Sequence, residues 1–147
     1  MRTHIEWLKR YFSKNGVLVF VLILGACGFS SKQELILSKA VGDYVDAVNN
    51  NDAIKLLGMY HPNVVKYHTR NNLDSLKLAL ESSDRNIVNY RKLEIKSSGD
   101  FFLVKYAYPK EKKQEHFYAF SQDAANSWIF VEETDKRRIP LLELFNN

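Results

Sequence analysis

Apolar residues run unbroken from Val17 to Leu24, recur every three or four positions from about Lys32 to Asn50, and after Ile87 gather with aromatics into short segments of a different period. The middle pattern predicts a helix, with Leu35, Ile36, Val41, Tyr44, Val45 and Val48 along one stripe. Asn49-Asn50-Asn51 stops it, and Asp52 is placed to cap a second, short helix carrying Ile54, Leu56, Leu57 and Met59. His61-Pro62 closes that helix, because the residue before proline is pushed out of the helical region. Val64 to His68 then reads as a short strand, Thr69 to Asn72 as a turn, and Leu73 to Ser82 as a third helix with Leu73, Leu76, Ala79 and Leu80 inward. Four segments rich in β-branched and aromatic residues follow, at Ile87 to Lys96, Phe101 to Tyr108, His116 to Gln122 and Ser127 to Glu133. Short connections make them antiparallel neighbours. The expected class is α+β, three N-terminal helices packed on an antiparallel sheet of four to five strands.

The early part of the chain is of another kind. Residues 1–15 carry Arg2, Lys9, Arg10 and Lys14, and as a helix Gly16 to Ala26 would span only about 16 Å, roughly half a hydrocarbon core. A basic start and a short apolar stretch are the layout of an export signal. The stretch ends in Leu24-Gly25-Ala26-Cys27, which resembles the lipobox of bacterial lipoproteins. The resemblance implies cleavage between Ala26 and Cys27, a diacylglyceryl group on the Cys27 thiol and a further acyl chain on the freed amine. Buried acyl chains contribute about 0.8 kcal/mol per CH₂, so two or three tether a domain durably. Expected boundaries are a signal over 1–26, a lipidated tether over 27–32 and one domain over 33–147. Gly28, where inner-membrane retention in this family uses Asp, implies the outer membrane if the cell has two. Cys27 is the chain's single cysteine, which excludes an internal disulfide.

Charge follows the same division. Four of the 21 basic residues and one of the 17 acidic ones fall in residues 1–26, so the remainder carries a formal charge of +1. A near-balanced domain offers little affinity for phosphate, so nucleic acid is not an expected partner. The clusters at Lys110, Lys112 and Lys113 and at Lys136, Arg137 and Arg138 read as solvated turns.

Two stretches, Tyr44-Val45-Asp46-Ala47-Val48-Asn49-Asn50-Asn51-Asp52-Ala53-Ile54 and Met59-Tyr60-His61-Pro62-Asn63-Val64-Val65, resemble the opening of nuclear transport factor two-like domains, SnoaL-like proteins included. The resemblance implies a cone-like fold with a pocket at its open end. The candidate interior polar residues are Tyr60, His68, Tyr106, Tyr108, His116, Tyr118 and Trp128, and of these Tyr60, Tyr106, Tyr118 and Trp128, with His116, are expected to line the pocket. Lys105 on the opposite parity suggests that Phe102, Val104, Tyr106 and Tyr108 point inward. Asp100, Asp123 and Asp135 fall in turns, and Glu94, Glu132 and Glu133 near strand ends, so no interior carboxylate is expected. His61, His68 and His116 lack metal-ligand spacing, and no phosphate loop or nucleophile elbow occurs, so no metal or cofactor is expected. The apolar tail from Ile139 to Phe145 should dock on the domain's own helices. These features point to an envelope lipoprotein whose domain is non-catalytic and binds a small apolar ligand or an envelope protein. The resemblance leaves two alternatives: a cofactor-independent isomerase, cyclase or dehydratase, and an interaction module of a secretion or conjugation apparatus.

Overall fold

The computed structural model describes residues 29–69, 73–82 and 84–145. The expected signal, the lipobox and Cys27 lie outside the described residues. The chain divides into a unit over Met1–Lys32 and a unit over Gln33–Asn147, and the second is the domain described here. Among the described residues no helix is long and apolar enough to cross a membrane.

Helix α1 spans Ser31–Asn49 and buries Leu37, Val41, Tyr44, Val45 and Val48, a stripe at helical spacing. Leu35, expected in the stripe, is 71% exposed. Asn51 stops the helix in the left-handed region (φ 52°). The amide of Asp52 donates to the Ala47 carbonyl at 2.9 Å and that of Asn51 to Val48 at 3.1 Å, the paired closure of a Schellman turn. Asp52 caps α2 (Ala53–Met59) as expected, its Oδ1 accepting from the Lys55 amide at 3.0 Å.

The segment expected to be a strand, Val64 to His68, is helical: α3 spans Pro62–His68. His61 caps it by accepting from the Asn63 amide through Nδ1 at 3.1 Å, and Pro62 opens the first turn, where its missing N–H costs nothing. The start signal outweighs the strand preference of Val64-Val65, and the helix still buries Val64 against the sheet. Helix α4 spans Leu73–Glu81 and packs against α2. Leu80 is buried and Leu76 half-buried, while Leu73 and Ala79, expected inward, are exposed.

The sheet is a meander of β1 (Arg91–Ser98), β2 (Phe101–Lys110), β3 (Lys113–Ser121) and β4 (Ile129–Glu132), in that order and antiparallel throughout. Tyr60 adds a single parallel bridge to Phe130 beyond β4. The second hairpin is tighter than Pro109 to Glu115 suggested: Lys110 pairs with Lys113, leaving a two-residue turn with Glu111 at φ 52°. Pro109 sits in β2 without breaking the sheet because β1 pairs only as far as Ala107.

Both faces of the sheet are covered around β3, which is buried continuously from Phe117 to Ser121, while β1 at the edge stays mostly exposed. One face presents Val104, Tyr106, Phe117 and Phe130, as the parity of Lys105 suggested, and α1 covers it: Tyr44 stacks on Phe130 at 4.3 Å and tilts onto Phe117 at 5.1 Å. The other face presents Leu103, Tyr118, Phe120 and Val131. The tail docks there, on the sheet rather than on helices. Two 3₁₀ segments, Glu133–Arg138 and Pro140–Phe145, lay Ile139, Leu142 and Phe145 over it together with Val64. Burying each such side chain contributes about 1.5–3 kcal/mol.

Candidate functional site

The sheet divides the residues expected to share one pocket. Tyr106 pairs with Phe117 and stacks on it at 5.0 Å, on the α1 face. Tyr118 and His116 lie on the tail face. The Tyr118 hydroxyl donates to Glu133, and Lys136 sits 5.0 Å over its ring. Trp128 is buried just ahead of β4. Burial raises the phenols of Tyr60, Tyr106 and Tyr118 above the ordinary range, so they are neutral donors at physiological pH.

Of that set, Tyr60 lines a cleft of about 270 Å³ between α3, α4 and the end of β4. Val64, Val65, Leu76, Ala79 and Leu80 form its walls. The rise of the chain from α2 into the bridge with Phe130 aims the Tyr60 hydroxyl at Glu132, to which it donates at 2.8 Å. Arg85 Nη1 donates to the same phenol oxygen at 3.1 Å and pairs with Glu132. The Arg85 side chain is 16% exposed. Burial opposes its charge, but Tyr60 and Glu132 outweigh that and hold it firmly protonated.

The cleft also takes in His68 and Asp135. His68 Nε2 lies 3.0 and 3.1 Å from the two Asp135 oxygens, and Arg138 Nη1 lies 3.2 Å from one of them. Arg138 stacks over the Tyr67 ring at 3.6 Å, so this part of the basic run is packed rather than solvated. The Asp135 side chain is 11% exposed.

Two carboxylates therefore face an apolar cleft where none was expected. Glu132 is two residues from Phe130, so strand parity alone puts it on the buried α1 face. Its position near the strand end obscured that signal. Asp135 is buried because Glu133–Arg138 folds as a 3₁₀ turn against the domain, which no periodicity announces. Arg85 lies in an irregular segment and carried no pattern at all.

A wider groove of about 510 Å³ runs along the 3₁₀ segments past Glu133, Lys136, Arg137 and Glu143. Its walls are mostly charged side chains that water solvates well, and it lacks the apolar enclosure of a small-molecule site. Among the described residues no group of three His, Cys, Asp or Glu side chains could hold a metal ion. The α3–α4 cleft can enclose an apolar body and offer it oriented hydrogen bonds at a polar end. No family model, curated protein or solved structure matches this chain.

Proposed function

We propose that this chain is an envelope lipoprotein, anchored by lipid on Cys27, whose α+β domain binds a small, mostly apolar ligand in the α3–α4 cleft. The observation that carries the binding reading is the cleft itself, aliphatic walls closed by the Tyr60–Arg85–Glu132 cluster. The anchor rests on Leu24-Gly25-Ala26-Cys27, and Gly28 directs it to an outer membrane where one exists. We read the domain as nuclear transport factor two-like, on the order of helices followed by an antiparallel meander. The tail lies across the second sheet face.

The test is methyl NMR of the full chain purified from membranes, with ethylbenzene at free concentrations fixed by dialysis. Methyl signals of Val64, Val65, Leu76 and Leu80 should shift and saturate. Ala79→Trp, a change at an exposed helix position on the cleft wall, should fill the space and abolish the shifts while leaving circular dichroism unchanged. Shifts spread over the whole domain, or undiminished in Ala79→Trp, would remove the cleft from the reading.

The His68–Asp135 pair favours a second reading, an acid–base enzyme of the SnoaL-like kind. A carboxylate that orients an imidazole beside an apolar site is a recurrent arrangement for proton transfer. Loss of turnover in His68→Gln with ligand affinity retained would establish it.

A further inference from the structure

Resting on that binding reading, we infer that the ligand is an apolar molecule ending in a neutral hydroxyl, a phenol or alcohol, whose O–H donates to Glu132. The argument is a count of donors and acceptors at the polar end. Tyr60 Oη and Arg85 Nη1 both donate to the same oxygen of Glu132, Oε1. A carboxylate has about four lone-pair sites, and Oε2 accepts no hydrogen bond from any described residue. The Glu132 side chain is 31% exposed and lines the cleft, which leaves its carboxylate open to a ligand there. Asp135 adds further acceptor capacity beyond its bonds to His68 and Arg138. The cleft's polar end thus keeps open carboxylate acceptors, and a ligand that brings a donor can meet them.

Charge decides between a hydroxyl and an ammonium. Glu132 is already paired with Arg85, and Asp135 with Arg138. A cation would leave water without finding an unbalanced negative charge, and burying it would cost more than its Coulomb gain. A carboxylate ligand would meet two acidic side chains. A neutral O–H gives up one bond to water and gains one to an ionised acceptor at the edge of an apolar site, and hydrogen bonds to charged groups are the stronger ones.

The cluster also predicts how to invert the preference. In Glu132→Gln the two donors Tyr60 and Arg85 hold the amide oxygen in the place of Oε1. The NH₂ group then takes the place of Oε2 and faces the cleft as a donor. A hydroxyl loses its acceptor, and an ether oxygen gains a donor.

Four ligands of one size make the test: ethylbenzene, 4-ethylphenol, 4-ethylanisole and 4-ethylbenzylamine, titrated by methyl NMR of the full chain at fixed free concentration. The phenol should bind roughly tenfold tighter than ethylbenzene or the anisole, the scale of a hydrogen bond to a charged group, and tighter than the amine. Glu132→Gln should bring phenol and anisole to within about twofold of each other. An amine that binds tighter than the phenol, ethylbenzene that binds as well as it, or a phenol preference unchanged in Glu132→Gln overturns the inference while leaving the cleft reading intact. If none of the four shifts the Val64, Val65, Leu76 and Leu80 methyls, both fall together. The comparison on the unaltered chain decides the matter even if the variant does not fold.

Discussion

A single nitrogen, Nδ1 of His61, holds the first turn of α3 by accepting from the Asn63 amide, and it can do so only while unprotonated. Burial lowers the His61 pKa from its ordinary value. A histidine with a depressed folded pKa contributes stability that is complete above the unfolded value of about 6.5 and is lost as pH falls through the folded value. His61→Asn keeps a capping oxygen and removes the titration. Relative to this variant, the natural chain should lose about 1 kcal/mol, the usual worth of an N-cap, between pH 7 and pH 5; urea titrations of both chains at each pH measure the difference. A second residue-scale outcome concerns Ala124 and Ala125, consecutive non-glycine residues at φ 55° and 66°. Ser121 Oγ accepts from the Ala125 amide at 3.0 Å, and Asp123 accepts from Ser127, so side-chain bonds impose the bend. Ala125 is fully buried, whereas Ala124 is only half-buried. Ala124→Gly should raise stability by roughly 0.5–1 kcal/mol, read from the thermal midpoint, because glycine adopts this backbone without the Cβ penalty. At this scale the sequence was legible where one side chain serves its own backbone, as Asp52 does. It was silent where partners are distant, as with Arg85 and Glu132, separated by 47 positions.

Elements were legible to the extent that one periodicity governed them. Most of the stripe of α1, and the runs of apolar and aromatic residues in β2 and β3, needed nothing beyond themselves. Val64 to His68 satisfied two patterns at once, and the His61-Pro62 start settled it as helix. The tail was legible as apolar but not as to its dock, because Leu103, Phe120 and Val131 offer a face that only the folded sheet assembles. Strand β2 pairs on both sides through most of its length, with Val104 between Ile95 and Ala119 and fully buried. Val104→Pro removes a ladder bond with no water to replace it, at about 3 kcal/mol or more, and should abolish the cooperative thermal transition. Pro109 in the same strand is the internal control, tolerated because no neighbour pairs on its β1 side. A variant that melts like the natural chain would mean that β2 does not hold the sheet's centre.

At the scale of the whole molecule, the envelope reading proposed above requires a nearly neutral domain to stay at a membrane. A formal charge of +1 beyond residue 26 gives little attraction to anionic lipid, and the helices of the described residues cannot span a bilayer. The apolar stretch from Val17 to Leu24 is short for a permanent span. In that reading lipid on Cys27 would supply the hold: one acyl chain binds only marginally, whereas two anchor a domain stably. The thiol must come first, since in the lipoprotein pathway that Leu24-Gly25-Ala26-Cys27 resembles the peptidase acts on the lipid-modified precursor. Cys27→Ser should therefore abolish metabolic labelling by palmitate and leave residues 1–26 attached. Intact mass of the natural chain should correspond to a polypeptide beginning at Cys27 plus acyl groups. An uncleaved natural chain, or a Cys27→Ser chain still labelled and processed, would refute the lipid anchor and leave residues 16–26 as the membrane attachment, with the α3–α4 cleft and its four-ligand test unaffected.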